Sequence, residues 1–345
     1  MFSIRHHNSR EEIPTVSVWI LTYNHELYIN CCLASVFNQT TDFNYELVIG
    51  DDCSSDATSQ LIDKFIADKN ISITKIRSQK NFWDGRRTPL ICELFNQARG
   101  KYIALLEGDD YWTDPYKLQK QVDYLEANPD CSICTHWVKT KDESGQGIHE
   151  DALTIPDLKE DIYASDLFHI SSETKPILGA AYHPSSWVFR QSLVKEIPSW
   201  NIKISGGDDV LFTTFLRFGF CHRISEFMST YRINKSSSWS PLDIHQKGLN
   251  NLQFLLNVKK NYQEYTSHII MCLGWLKQKY LDWPLNKSEL SKILKISFKI
   301  ALRDRAIALD LAKFIIPVWS HHQLNRVLSY MRIFAGKIKS FSPIK

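Results

Sequence analysis

Three acidic residues lie together just after a short apolar segment in the first third of the chain. Tyr102 to Leu106 (YIALL) is typical of a strand buried on both faces of a parallel sheet. Glu107, Asp109 and Asp110 follow within four positions. Carboxylates this close repel one another unless a positive charge lies between them, and carboxylate oxygens are preferred ligands of hard divalent cations. The segment therefore predicts a site for Mn²⁺ or Mg²⁺, with a solvated acidic turn as the alternative.

The elements before this turn alternate between strands and helices, which predicts an α/β fold with a mostly parallel central sheet flanked by helices. Strands are predicted at 16–22, 45–50, 71–77 and 102–106, and helices at 27–37, 57–66 and 89–98. The second strand also ends in acids, Asp51 and Asp52. Ligands of open α/β sheets bind beyond the carboxyl ends of the strands, so both acidic turns are expected at one edge.

A nucleoside diphosphate with a metal ion fits such an acidic edge. Neither the GxGxxG fingerprint nor the P-loop occurs in the sequence. The phosphates are therefore expected to be neutralised by a metal ion and basic side chains rather than by a glycine-rich helix start.

Three spaced motifs carry a family resemblance: TYN at 22–24, GDDCSSD at 50–56 and EGDDYW at 107–112. Together they resemble the family-2-type glycosyltransferases with the GT-A fold, and the resemblance covers most of residues 1–240. EGDD matches the family's DxD motif, with Glu107 replacing the usual first Asp. The resemblance implies metal ligation by Asp109 and Glu107. It implies donor-binding positions at Thr22, Tyr23, Asn24, Asp51, Asp52, Asn81, Glu107 and Asp109.

The resemblance also implies a general base near residue 209. Gly206 and Gly207 precede Asp208 and Asp209, which open a predicted helix. In the family an acidic pair here supplies the base of inverting transferases, and Asp209 matches the second acid, with Asp208 beside it. Acids at a helix N-terminus are also favoured by the helix dipole, so a capping role is the alternative.

Four further residues are candidates for acceptor binding or for a loop that closes on the diphosphate. His183 begins the segment HPSSWVFR, which resembles the acceptor side of relatives; a turn or core histidine is the alternative. Arg232, Lys235 and Trp239 lie in a segment where the family often has Tyr-Arg-x-His. This chain has Asn234 in place of that His, which removes a potential metal ligand.

The last hundred residues differ from the rest in charge. Residues 241–345 contain 17 Lys and Arg against 6 Asp and Glu, whereas residues 1–240 have a net charge of −8. We expect a catalytic domain at 1–240 and a basic helical extension at 241–345, with helices at 250–256, 268–281, 290–316 and 322–338. The extension either lies on an anionic membrane or packs on the catalytic domain. No nucleic-acid motif accompanies its charge.

Eight scattered cysteines, including Cys131 and Cys134, are expected to be free thiols in a reducing cytosol. The expected location is accordingly the cytoplasm, with the basic extension as a candidate contact to the cytoplasmic face of the membrane.

The function that these features predict is transfer of a sugar from a nucleoside-diphosphate donor, a UDP-sugar first, to a hydroxyl of a glycan or lipid-linked acceptor, with inversion. One alternative is another nucleotide-sugar enzyme, such as a nucleotidyltransferase, although TYNHELY is not a triphosphate-binding loop. The other alternative is a catalytically inactive nucleotide-sugar or glycan-binding module, which Glu107 and Asn234 would fit.

Overall fold

The chain divides into two compact units, Met1–Leu242 and Asp243–Lys345. The computed structural model describes residues 2–8, 12–82, 89–142, 148–149, 159–164, 166, 182–197, 207–234, 254–255, 257–258 and 260–263.

The described part of the first unit contains eleven strands and five α-helices. The strands are β1 (Phe2–His7), β2 (Val16–Thr22), β3 (Tyr45–Asp51), β4 (Ile73–Ser78), β5 (Tyr102–Glu107), β6 (Tyr111–Trp112), β7 (Cys131–Asp142), β8 (Ile148–His149), β9 (Asp161–Ile162), β10 (Val188–Arg190) and β11 (Phe220–Ile233). The helices are α1 (Ile29–Phe37), α2 (Thr58–Ile66), α3 (Pro89–Gln97), α4 (Lys117–Ala127) and α5 (Gly207–Phe215).

One mixed sheet organises this unit, in the order β1-β4-β3-β2-β5-β10-β7-β11-β6, with β8 on β7 and β9 on β11. Strands β4, β3, β2 and β5 are mutually parallel, as the alternation of elements predicts. Beyond β5 the directions mix, because β10 is antiparallel to both β5 and β7, whereas β11 is parallel to β7. The observed arrangement is the predicted α/β fold, a central sheet with a parallel part flanked by helices.

The parallel strands are buried because helices cover them. In β2 and β5 every residue is buried except Leu21 and Glu107, which lie at or near the carboxyl ends. Helices α1 and α2 direct apolar residues into the same core, including Ile29, Leu33 and Ile62. The near-continuous apolar sequences of these strands thus have a direct cause, since no face of the central sheet needs to be polar.

Strands β1 and β11 are among those that were not predicted from the sequence. Strand β1 pairs antiparallel with the edge strand β4, and its middle residues are exposed, so it lacks an apolar pattern. Strand β11 has register shifts against β7 after Phe220, Ile224 and Phe227, which interrupt the alternation of inward and outward side chains.

The basic second unit is described only at a few positions. Residues 254–255, 257–258 and 260–261 are helical, and Phe254, Leu255 and Val258 are buried. The helices predicted at 268–281, 290–316 and 322–338 lie outside the described residues, and so does most of the one at 250–256. Within the part of the chain that the structure describes, no helix has both the length and the apolar character needed to cross a membrane.

Candidate active site

The site lies where the strand order reverses. Chain order runs outward from β2 to β3 and β4, and then returns to β5 on the other side of β2. Ligands of open α/β sheets bind in the crevice at such a reversal. Gly108, just after β5, donates its backbone N–H to Leu21 O at 2.9 Å. A Cβ at Gly108 would lie 2.6 Å from Thr22 Oγ1 and 2.8 Å from His25 Nδ1, so the close approach of the two strand ends requires glycine.

A cluster of potential metal ligands occupies one side of the acidic turn. One ligand atom from each of Glu107, Asp110 and His183 lies within 4.8 Å of the others. His183 Nε2 is 4.0 Å from Glu107 Oε2, and its Nδ1 is 3.7 Å from Asp110 Oδ2. Two carboxylates and an imidazole form a donor set that suits a divalent cation such as Mn²⁺ better than a soft metal.

Asp110 is fully buried, and its Oδ2 accepts no hydrogen bond. Its other oxygen, Oδ1, accepts the backbone N–H of Arg232 at 2.9 Å. Burial, and then repulsion from Asp109 and Glu107, raises the pKa of Asp110 well above its ordinary value. A carboxylate oxygen that is buried without a hydrogen-bond partner costs free energy, and a bound cation would offset that cost.

The other two members of the cluster also have shifted pKa values. Burial and the charges of Asp109 and Asp208 raise the pKa of Glu107, although its side chain is 40% exposed and water offsets part of this rise. Burial lowers the pKa of His183 to about 4. His183 is therefore a neutral imidazole at pH 7, which is the form that coordinates metals.

Asp109 faces a different pair of side chains. Its Oδ2 accepts from Asn234 Nδ2 at 2.8 Å and lies 3.8 Å from His25 Nε2. Burial lowers the pKa of His25 despite the opposing effect of Asp109, so this ring is neutral at pH 7. Asn234, which replaces the His common in the family, thus contacts the acid expected to bind the metal.

Arg232 brings a positive charge to the acidic turn. Its guanidinium donates to the backbone carbonyl of Asp109 and, at 3.3 Å, to Cys31 Sγ. It lies 4.4 Å from the ring centre of Tyr111 and 5.3 Å from that of Tyr28. These contacts hold the Arg232 guanidinium beside the carboxylates, where its positive charge opposes the rise in the pKa of Asp110.

The predicted nucleotide loops are joined by internal hydrogen bonds. Asn24 adopts a positive φ of 55°, and its Oδ1 accepts the Ser55 backbone N–H at 2.8 Å. Both oxygens of Asp51 are engaged within the protein, by Ser54 N at 2.8 Å and by Arg77 Nε at 3.1 Å.

Asp52 lies at the same edge and accepts the Phe82 backbone N–H at 3.1 Å with each of its oxygens. Its backbone N–H donates to Thr22 O at 2.9 Å, which ties the second turn to the first. Tyr23 and Asn81 are exposed beside these loops, whereas Thr22 is buried with no partner for its hydroxyl. The internal hydrogen bonds of Asn24, Asp51 and Asp52 therefore hold these loops in place at the edge of the sheet.

The acidic pair lies in the first turn of α5. Burial raises the pKa of Asp208 to about 6, although this side chain is exposed and water offsets part of that rise. Burial, together with the charge of Asp208, raises the pKa of Asp209 to about 7. Asp208 also raises the pKa of Glu107, so the start of α5 lies near the acidic turn.

Several members of the site had no role assigned from the sequence. Asp110 was noted as part of the acidic run, but the sequence does not show which way its side chain points. His25 and Arg77 carried no pattern at all, because both reach the site through the packing of strand ends. Lys235 and Trp239 lie outside the described residues.

The sequence and the fold both match known proteins. Residues 17–197, just over half of the 345-residue chain, match the profile of "Glycosyl transferase family 2". The Mycobacterium tuberculosis protein "Uncharacterized protein Rv1520" is 39% identical over 130 residues, 38% of this chain and 37% of that protein. Escherichia coli WfaP, named as a "UDP-Glc:alpha-D-GlcNAc-diphosphoundecaprenol beta-1,3-glucosyltransferase", is 36% identical over 112 residues, 32% of this chain and 41% of its own length. The chain thus matches less than half the length of these relatives.

Two solved structures share the fold. Staphylococcus aureus TarS 1–349 in complex with UDP-GlcNAc superposes with a TM-score of 0.56 at 17% identity, over 85% of this chain and 82% of that one. The mannosyltransferase PcManGT of Pyrobaculum calidifontis, in complex with GDP-Man and Mn²⁺, has a TM-score of 0.50 at 12% identity, over 89% and 86% of the two chains. At these identities the likeness concerns the fold.

Proposed function

Because the chain belongs to glycosyl transferase family 2, we propose that it transfers a sugar from a nucleoside-diphosphate donor to a hydroxyl of a glycan or lipid-linked acceptor. The observation that carries the proposal is the clustering of Glu107, Asp110 and His183 beyond the carboxyl end of β5, one of the parallel strands. The donor class is supported by the UDP-GlcNAc bound to TarS and the UDP-Glc in the name of WfaP. The acceptor class is supported by the diphosphoundecaprenol in that same name.

The divalent cation is proposed to bind to Glu107, Asp110 and His183. The unpartnered, buried Oδ2 of Asp110 and the neutral imidazole of His183 fit such an ion. When bound, it would neutralise the negative charge that the leaving diphosphate acquires. Asp109 and Glu107, the pair that the family resemblance implies, share one member with this set. Arg232 lies beside the turn and adds a second positive charge for the diphosphate.

Asp209 is the proposed general base. As the acceptor oxygen bonds to the anomeric carbon, the carboxylate of Asp209 takes the hydroxyl proton, and the bond from that carbon to the diphosphate breaks. A single displacement of this kind inverts the configuration of the anomeric carbon. One base and one charge-stabilised leaving group are sufficient, whereas a retaining route through a covalent intermediate needs a second close carboxylate as nucleophile.

A panel of nucleotide sugars tests this proposal on the full chain. With one donor of the panel, we expect Mn²⁺-dependent release of the nucleoside diphosphate. Release of pyrophosphate from a sugar phosphate and a nucleoside triphosphate would instead indicate a nucleotidyltransferase. Tight donor binding with no turnover of any donor, with or without glycan acceptors, would indicate a binding module.

The pH dependence follows from the pKa of Asp209. A base with a pKa of about 7 is protonated below that value, so log kcat/KM should rise with pH up to about 7 and then level off. Asp208→Asn should move this midpoint to lower pH, because the charge of Asp208 contributes to the raised pKa of Asp209. The profile is measured as donor turnover from pH 5 to 9. A flat profile would contradict the assignment of Asp209.

The basic second unit is proposed to contact anionic membranes, on the strength of its excess of 11 positive charges. Each Lys or Arg near an anionic surface contributes about 1 kcal/mol. Reversing Lys292, Lys295 and Lys299 to Glu should therefore weaken sedimentation with anionic liposomes at low salt. Equal binding before and after the change would instead support packing against protein.

A further inference from the structure

Hydrogen bonds from two buried side chains hold the turn that follows His183 in place. His183 precedes a 3₁₀ turn, Pro184–Ser186, in which Ser185 and Ser186 are fully buried. Buried backbone carbonyls need hydrogen-bond donors, and both of these residues have one from a side chain. Trp112 Nε1 donates to Ser185 O at 3.0 Å, and Gln121 Nε2 donates to Ser186 O at 2.8 Å.

Gln121 uses all of its hydrogen-bonding groups. This residue of α4 is fully buried, and its Nε2 also donates to Cys134 O on β7 at 2.7 Å. Its Oε1 accepts from Lys117 Nζ at 2.7 Å. An amide turned the other way would point its oxygen at two carbonyls and its NH₂ group at an amine. Lys117 and the two carbonyls together therefore fix which end of the amide faces the His183 turn.

Burying the amine of Lys117 in this position costs free energy. Its side chain is fully buried, and burial lowers the pKa of its amine to about 7. Its Nζ lies 4.3 Å from the ring centre of Trp112, the other residue that holds the turn. Within the described residues no carboxylate pairs with this amine. Replacing a buried charged or polar group by an apolar one of similar volume is often neutral or stabilising, so stability alone does not account for an amine here.

We propose that Lys117 and Gln121 are positioning residues of the cation site, which hold the His183 turn against Glu107 and Asp110. The inference rests on the proposed function, because it takes His183 as a ligand of the cation. Lys117 and Gln121 lie one helical turn apart on the inner face of α4 and touch neither carboxylate. They act through Ser186 O, three residues from the imidazole, and the imidazole in turn lies 4.0 Å and 3.7 Å from the two carboxylates.

The test compares Mn²⁺ affinity with thermal stability. The full-length parent, Lys117→Met, Gln121→Leu and His183→Ala are titrated with Mn²⁺ alone, with free ion followed by electron paramagnetic resonance. We expect Lys117→Met and Gln121→Leu each to raise the Kd for Mn²⁺ about 10- to 100-fold, the usual effect of losing a group that orients a ligand. Met removes a buried amine but leaves Gln121 Oε1 without its donor, so the two effects oppose each other and the Tm of the Lys117 variant should stay close to that of the parent. A loss of affinity without a loss of stability separates positioning from a structural role.

Gln39→Leu is the matched control. Gln39 also bridges backbone groups at the start of α4, donating to Asp114 O at 2.8 Å and accepting from Leu118 N at 3.0 Å, without touching the His183 turn. Its Tm should fall while its Kd for Mn²⁺ stays within about twofold of the parent value. Parental Kd values in Lys117→Met and Gln121→Leu, with a raised Kd in His183→Ala, would overturn the positioning role alone. A parental Kd in His183→Ala would overturn the cation site itself.

Discussion

Asp209→Asn is expected to reduce sugar transfer by about 100-fold or more, the usual scale for a lost general base, while donor affinity stays nearly unchanged. The amide keeps the shape of the side chain but cannot take the acceptor's proton. The donor contacts that we propose lie elsewhere, at the acidic turn and the first two loops. The measurement is kcat for transfer on the purified variant, beside the Kd of the donor.

Asp208→Asn is the control for this variant. Asp208 shares the first turn of α5 but is exposed, and a residue that only interacts with the helix N-terminus contributes about 1 kcal/mol to stability. Its transfer rate should fall far less than that of Asp209→Asn. Near-parental transfer by Asp209→Asn would exclude Asp209 as the base, and equal losses at the two positions would leave the base unassigned between them.

Asp110→Asn is expected to weaken Mn²⁺ binding in the absence of nucleotide by more than about 100-fold, since loss of an outer partner alone typically costs 10- to 100-fold. The variant keeps an oxygen for the Arg232 backbone N–H but removes the negative charge that faces His183. Its Tm without metal should not fall, because the buried carboxylate has one oxygen with no partner. Calorimetric titration and a thermal melt measure the two quantities.

Asp109→Asn provides the comparison that decides between two ligand sets. Asp109 already accepts a hydrogen bond from Asn234, and an amide here should lower Mn²⁺ affinity less than Asp110→Asn does. The opposite order of the two variants would favour the pair that the family resemblance implies, Asp109 with Glu107.

The central strands were predictable because burial on both faces leaves a simple pattern. Val16–Thr22 has the same bounds in the structure as in the prediction, and β3 and β5 each extend one residue further, to Asp51 and Glu107. Apolar, β-branched segments separated by helices admit few other arrangements. Helices α1, α2 and α3 likewise begin or end within two residues of their predicted bounds.

The antiparallel part of the sheet was not predictable in the same way. Strand β10 has only three residues, Val188–Arg190. It lies between β5 and β7, and both of these strands are distant from it in the sequence. Strand β11 alternates irregularly because of its register shifts. Pairings of this kind depend on long-range contacts that no local pattern records.

The sequence predicted the position of the candidate site in the fold better than it predicted the contacts of its individual residues. The acidic turns were expected at one edge of the sheet, and the structure brings them to the ends of β3 and β5, the parallel strands on either side of β2. The roles of the individual acids depend on distant residues, because Arg232 and Asn234 at the end of β11 contact Asp110 and Asp109 respectively. A run such as EGDD does not indicate which carboxylate will accept a hydrogen bond from a residue more than a hundred positions away.

The central claim is that the EGDD turn and His183 bind a donor diphosphate through a divalent cation. It is tested most directly by anomalous X-ray diffraction from crystals of the full chain grown with Mn²⁺ and a nucleoside diphosphate. The predicted result is one manganese peak within coordinating distance of Glu107, Asp110 and His183, with a diphosphate oxygen as a further ligand. A bound diphosphate with no manganese at the turn, or a peak held by other residues, would contradict it.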